Sequence, residues 1–152
     1  MSVKFVIQLN EFGDMADWLK PNALKTCRRG ANRIRTLSRR SMRASGRGQR
    51  TGRTGRRYSA SRPGDPPGVI TGELQRAMRV RRIGELTVQV DFGTGKGGLD
   101  HVARILEGGS ARVAARPFLY QAVQNAAPQF EAEMAKVFEK GMSSIAGDDD
   151  GE

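Results

Sequence analysis

Between Asp17 and Asp65 the chain carries no acidic residue, while Lys20, Lys25, Arg28, Arg29, Arg33, Arg35, Arg39, Arg40, Arg43 and six further arginines ending at Arg62 crowd the same interval. Guanidinium groups are not buried without partners, so such a stretch has two outlets: a surface helix with one apolar stripe, or solvated chain. Its first half has the stripe. Leu24, Cys27, Ala31, Ile34 and Leu37 recur at threes and fours, and the opposite face is almost pure arginine. We expect Asn22 to cap this helix, with Pro21 closing a separate short helix over residues 11–19 that carries Phe12, Met15, Ala16 and Leu19. Gly30 weakens the longer helix slightly.

The second half, ASGRGQRTGRTGRRY, has almost nothing to bury, which predicts a mobile loop or a long solvated hairpin within an extended segment over residues 45–68. Pro63, Pro66 and Pro67 then stiffen the chain into an extended path. The formal net charge is +10, yet residues 148–152 form an acidic tail expected to fray. That asymmetry points to a polyanion or to charge-complementary subunits.

Elsewhere the periodicities are those of a small sheet with helices. Val3, Phe5, Ile7 and Leu9 alternate, so we expect a strand over residues 4–9 rather than a signal peptide. Two strands are expected over residues 74–82 and 85–92, with a tight turn near Ile83-Gly84 and Leu86, Val88 and Val90 on one face. The first of them can equally begin as a helical turn capped by Thr71, with Leu74 packing. Residues 101–106 suit one or two helical turns with Val102, Ile105 and Leu106 inward. Pro117 opens a long helix over residues 118–145, whose stripe is Leu119, Val123, Phe130, Met134, Val137 and Met142 and which Pro128 kinks or divides. These elements predict one α+β domain over residues 1–147. Its small antiparallel sheet packs against a long basic N-terminal helix and a long C-terminal helix. No run of apolar residues is long enough for a membrane span.

Motifs for catalysis or cofactors are not found. GTGKGG places glycines after Lys96 where a nucleotide-binding loop needs Ser or Thr opening a helix. His101, the single histidine, has Asp100 beside it but no nucleophile or paired carboxylate, so a helix-end or interface role is expected. Cys27 lies on an apolar stripe and reads as a packing thiol, and one cysteine permits neither an internal disulfide nor a multi-cysteine zinc site. A single cysteine also suits a reducing cytosol. We expect no enzyme, no cofactor and no metal.

The order SRPGDPPGVITGEL, then two strands, then HVARILEGGSARVAARPFLYQAV and an amphipathic helix resembles the phage morphogenesis family of tail-completion or neck proteins of long-tailed bacteriophages. In that family a Pro-Gly-x-Pro-Pro run leads to Thr-Gly-x-Leu, a later short helix ends in Glu-x-Gly, and Arg-Pro-Phe-Leu starts the C-terminal helix. The matching residues are Pro63, Gly64, Pro66, Pro67, Thr71, Gly72 and Leu74, then Glu107, Gly108, Arg116, Pro117, Phe118 and Leu119. The resemblance spans residues 59–123. It departs at His101-Val102-Ala103, where the family often has tyrosine, and in a longer, more basic loop.

The resemblance implies a non-catalytic subunit that assembles as a homo-oligomeric, hexameric ring at the head–tail junction of the virion, after synthesis in the host cytoplasm. Its neighbours would be a head-connector or stopper protein and a tail-terminator or tail-tube protein. A stiff proline segment would lose little entropy on docking against a neighbour. Arg47, Arg50, Arg53, Arg56, Arg57 and Arg62 would form a basic interface toward an adjacent ring or packaged DNA. The alternative class is a small basic nucleic-acid-binding protein that neutralises phosphates without reading sequence. Tyr58 is the one aromatic near that run, so stacking on bases is not expected.

Overall fold

A computed structural model describes residues 3–6, 15–45, 49–51, 57–59, 61–93 and 99–146. The chain forms β1 (Val3–Val6), α1 (Met15–Ala44), β2 (Gln49–Thr51), β3 (Arg57–Ser59), α2 (Glu73–Ala77), β4 (Arg79–Arg82), β5 (Thr87–Asp91), α3 (Asp100–Gly108) and α4 (Leu119–Ala146). The architecture is α+β. A three-stranded antiparallel sheet, ordered β1-β5-β4, packs against the two long helices.

β5 is the central strand, with Val88 opposite Phe5 and Arg82, and Val90 opposite Val3 and Val80. The expected alternation holds, because Leu86, Val88 and Val90 are buried while Thr87 and Gln89 are half-exposed. At the strand's end Asp91 is buried and fully used. It accepts from Arg81 Nε (2.8 Å), Gln89 Nε2 (3.1 Å) and the Gly93 amide (3.0 Å).

α1 and α4 run antiparallel and make the largest helix contact. Gly30 lies so close to Phe130 that a Cβ there would stand 2.7 Å from the ring, and Gly141 comes equally near Leu19 at 2.9 Å. Small residues at both ends let the backbones approach, so Gly30 returns in packing what it costs in helix propensity. Arg33 reaches across to Glu133 at 3.2 Å.

Several sequence expectations are corrected. Pro21 does not end a helix, and Asn22 does not cap one: α1 runs unbroken through both. Pro21 sits on the exposed side, and buried Leu19 and Ala23 flank it, so core packing outweighs one missing hydrogen bond. Asn22 instead donates from Nδ2 to the Trp18 carbonyl one turn back (2.9 Å). Pro128 likewise lies exposed inside an undivided α4. Residues 74–82 are not one strand. They hold α2 and then β4, the helical-turn alternative. On α3 it is Ala103 that is fully buried, while Val102 is exposed. On α4 Met142 is exposed, and Ala122, Ala126 and Gly141 are buried on the packed face instead.

Of the segment read as an extended mobile loop, β2 and β3 pair as antiparallel strands, Gln49 opposite Ser59 and Thr51 opposite Arg57. Residues 61–68 are docked on the domain, with Ser61 and Pro67 buried. Residues 7–14, 46–48, 52–56, 60, 94–98 and the acidic tail lie outside the described residues, and with them the readings placed there. No helix among the described residues is long and apolar enough to cross a membrane.

Candidate functional site

The proline segment starts with a tight turn. Pro63 and Gly64 occupy its central positions, Gly64 takes φ 86°, and the Asp65 amide donates to the Arg62 carbonyl (3.1 Å), as in a type II turn. The same turn is tied to distant parts of the chain. The Gly64 amide donates to the Ala115 carbonyl (2.9 Å), and the Ser45 hydroxyl, at the end of α1, donates to the carbonyl of Pro66. Half-buried Pro66 and buried Pro67 then carry the chain to Thr71, whose Oγ1 accepts from the Glu73 amide (3.3 Å) as α2 begins. Gly72 adopts a left-handed conformation (φ 74°) there, and Leu74 packs on the core.

The second group of motif residues is organised by one carboxylate. Glu107, near the end of α3, accepts the amides of Phe118 (3.0 Å), Leu119 (3.0 Å) and Tyr120 (2.7 Å). These are the donors that the first turn of α4 leaves without helix carbonyls, and a negative charge also suits that end of the helix dipole. Pro117, just ahead, has no amide to satisfy. Phe118 and Leu119 are fully buried. The Phe118 ring meets Phe92 edge to face at 5.7 Å, and the Ser38 hydroxyl donates to the Phe118 carbonyl (3.4 Å).

The chain between α3 and α4 folds back on itself. The Arg116 amide donates to the Leu106 carbonyl (2.6 Å), and Ser110 and Val113 exchange backbone hydrogen bonds. Gly109 makes this possible with φ 76°, where an added Cβ would stand 3.0 Å from the Ala115 nitrogen. Gly108, matched above, has open space around it; the glycine that the turn requires is Gly109, which stands at the Gly of a Glu-x-Gly element beginning at Glu107.

The two motif groups thus close on each other through Gly64 and Ala115, and beside the closure lies a groove of about 480 Å³. Pro67, Ile70, Leu74, Val102, Leu106 and Arg116 line it, together with Thr71 and Gly72. Its rim is apolar and open to solvent: Val69 is 40% exposed, Ile70 64% and Val102 42%. Ser61, also in the lining, has a buried hydroxyl without a hydrogen-bond partner. A groove of this make-up fits an extended chain segment with apolar side chains and one polar group for Ser61.

None of the described residues of the expected basic interface lines this groove. Arg47, Arg53 and Arg56 lie outside the described residues, Arg50 and Arg57 take part in the β2–β3 backbone pairing, and Arg62 is exposed at the proline turn. Two arginines that sequence periodicity assigns only to a solvent face hold the fold instead. Arg33 pairs with Glu133, and Arg39 donates to the carbonyls of Gln75 (2.9 Å) and Met78 (3.1 Å), while Gln75 Nε2 donates back to the Arg39 carbonyl (2.9 Å). Nothing in the local sequence marks Arg39 for this role, because its partners lie on other elements.

His101 is exposed on α3, and no group of residues suited to a metal ion occurs among the described residues. Cys27 is buried on the apolar face of α1, where desolvation pushes its thiol up to about 11. That makes it a poor nucleophile. No family model, curated protein or solved structure matches the chain.

Proposed function

We propose that this protein is a structural subunit of the head–tail junction of a long-tailed bacteriophage, a neck or tail-completion protein that joins the tail to the head connector. It acts without catalysis or cofactor, as a homo-oligomeric ring of six subunits within the virion. Its contacts are with a connector or stopper ring on one side and a tail-terminator or tail-tube ring on the other. The observation that carries this reading is the closure of the two separated motif groups into one unit. Gly64 bonds to the chain just before Arg116, and Glu107 caps the helix that Pro117 to Leu119 open. In this reading the adjoining apolar groove receives an extended segment of a neighbouring subunit.

The test is electron microscopy of lysates from phage lacking the gene. Filled heads and intact tails that remain unjoined are expected. Normal infectious particles containing no copy of the protein would overturn the reading. A second reading, a small basic nucleic-acid-binding protein, has the unbalanced positive charge of α1 in its favour and would then take precedence.

A further inference from the structure

The arginines of α1 divide into two sets. Arg33 and Arg39 are spent inside the fold, as described above. Lys25, Arg28, Arg29, Arg35, Arg40 and Arg43 make no ion pair or side-chain hydrogen bond among the described residues, and all but half-buried Arg35 are exposed. The helix interior between Lys25 and Arg43 contains no acidic residue. Asn32 and Thr36, the uncharged exposed positions between them, each bond back to the helix backbone rather than to a neighbouring charge.

This arrangement opposes folding. Lys25 and Arg29 stand one turn apart, as do Arg35, Arg39 and Arg43, and like charges at that spacing repel. Arg39 reports it: burial, together with the charges of Arg35 and Arg43, holds its guanidinium below its ordinary value. A surface that keeps such repulsion, and lets no carboxylate relieve it, is complementary to an external polyanion.

We infer that the exposed face of α1 binds the phosphate backbone of duplex DNA. At 1.5 Å per residue the stripe from Lys25 to Arg43 is about 27 Å long. That length matches the axial rise of about eight base pairs at 3.4 Å each, so its cations can reach phosphates that border a groove. Arginine makes up all but one of its charges, and its forked donors match phosphate oxygens two at a time. No aromatic residue stands among the exposed positions, so the face offers nothing for unpaired bases to stack on, which favours a duplex over a single strand. A bilayer is disfavoured because the apolar side of α1 is already buried against α4 and the sheet. The inference does not depend on the junction reading. It moves the basic interface from the loop arginines to an ordered helix and names its ligand.

The experiment titrates the full-length protein with a fluorescent 30-base-pair duplex of mixed sequence between 50 and 200 mM salt. With about six phosphate contacts, affinity should fall by about a thousandfold over that range, equally for unrelated sequences. The variant Arg29→Gln/Arg40→Gln/Arg43→Gln should flatten the logarithmic salt slope by about three. The control Lys4→Gln/Arg112→Gln/Lys136→Gln removes the same charge from exposed sites elsewhere and should flatten it by less than about one. Circular dichroism melts establish that both variants are folded. Equal losses in the two variants would overturn the inference, since net charge alone would then explain binding. Tighter binding of a single strand than of the duplex, or of polyglutamate than of DNA, would overturn it as well. The latter two results would assign the face to another partner without touching the junction reading, which particle composition tests separately.

Discussion

Replacing Glu107 by alanine removes the side-chain acceptor of three amides at the start of α4. Two of those amides, on Phe118 and Leu119, are in partly buried hydrogen bonds, and the third, on Tyr120, is exposed. Leaving a buried donor unpaired costs about 1–3 kcal/mol, and a lost charge at a helix N-terminus adds about 0.3–1 kcal/mol. Taking the low end for each partly buried amide and little for the exposed one, the expected loss is about 2–3 kcal/mol. A domain of this size has a total stability of about 5–15 kcal/mol. The melting temperature should therefore drop by roughly 4–12 °C. Glu107→Gln keeps the shape and one acceptor oxygen but not the charge, so it should lose only about 1–2 kcal/mol. Urea unfolding of the three proteins, followed by far-ultraviolet circular dichroism, measures both values, and an unchanged denaturant slope shows that the same cooperative unit is being compared. Alanine within about 0.5 kcal/mol of wild type would refute the capping role. Glutamine as damaging as alanine would show that the charge, not the hydrogen-bond geometry, is what α4 needs.

Phe118→Ala should cost about 3–5 kcal/mol, because a fully buried ring and its edge-to-face contact with Phe92 are both lost; an unchanged urea midpoint would place that ring on the surface. Gly109→Ala should destabilise by more than about 1 kcal/mol through its left-handed φ and the close Ala115 backbone, whereas Gly108→Ala should lie within about 0.5 kcal/mol of wild type; equal effects would contradict the assignment. Cys27 has a folded pKa raised from 9.0 to about 11 by burial, so between those values the unfolded chain releases a proton that the folded chain keeps. Its effect on stability is thus absent below about pH 9 and grows as a loss up to about pH 11, reaching about 2–3 kcal/mol. The difference in unfolding free energy between wild type and Cys27→Ala, measured from pH 8 to pH 11, should shrink by that amount, and a pH-independent difference would contradict it.

What the sequence by itself determined is what repeats along it at short range. The stripe Leu24, Cys27, Ala31, Ile34 and Leu37 had to face a core because only that side of α1 lacks charge: Cys27, Ala31 and Ile34 are buried, and the partly exposed Leu24 and Leu37 pack against them. The alternation of Leu86, Val88 and Val90 specified a half-buried strand, and Arg-Pro-Phe-Leu specified a helix start with Phe118 beneath it. Each signal needs no knowledge of a distant residue. Only the tertiary structure decided how those pieces bind one another. Pro21 looked like a terminator because the cost of its missing amide is local, while the burial of Leu19 and Ala23 that overrides it comes from across the fold. Glu107 is an ordinary charge on a helix until α3 brings it to the amides of α4. The glycine the turn requires is Gly109 rather than Gly108 because the returning backbone of Ala115 occupies the space where its side chain would be. The same holds for charge. Periodicity put all the α1 arginines on one face, but which of them hold the fold depended on where Glu133, Gln75 and Met78 came to rest, and so did which remain unpaired. Side-chain period is a property of the backbone helix or strand; partnership between side chains depends on distances that only the packed chain defines.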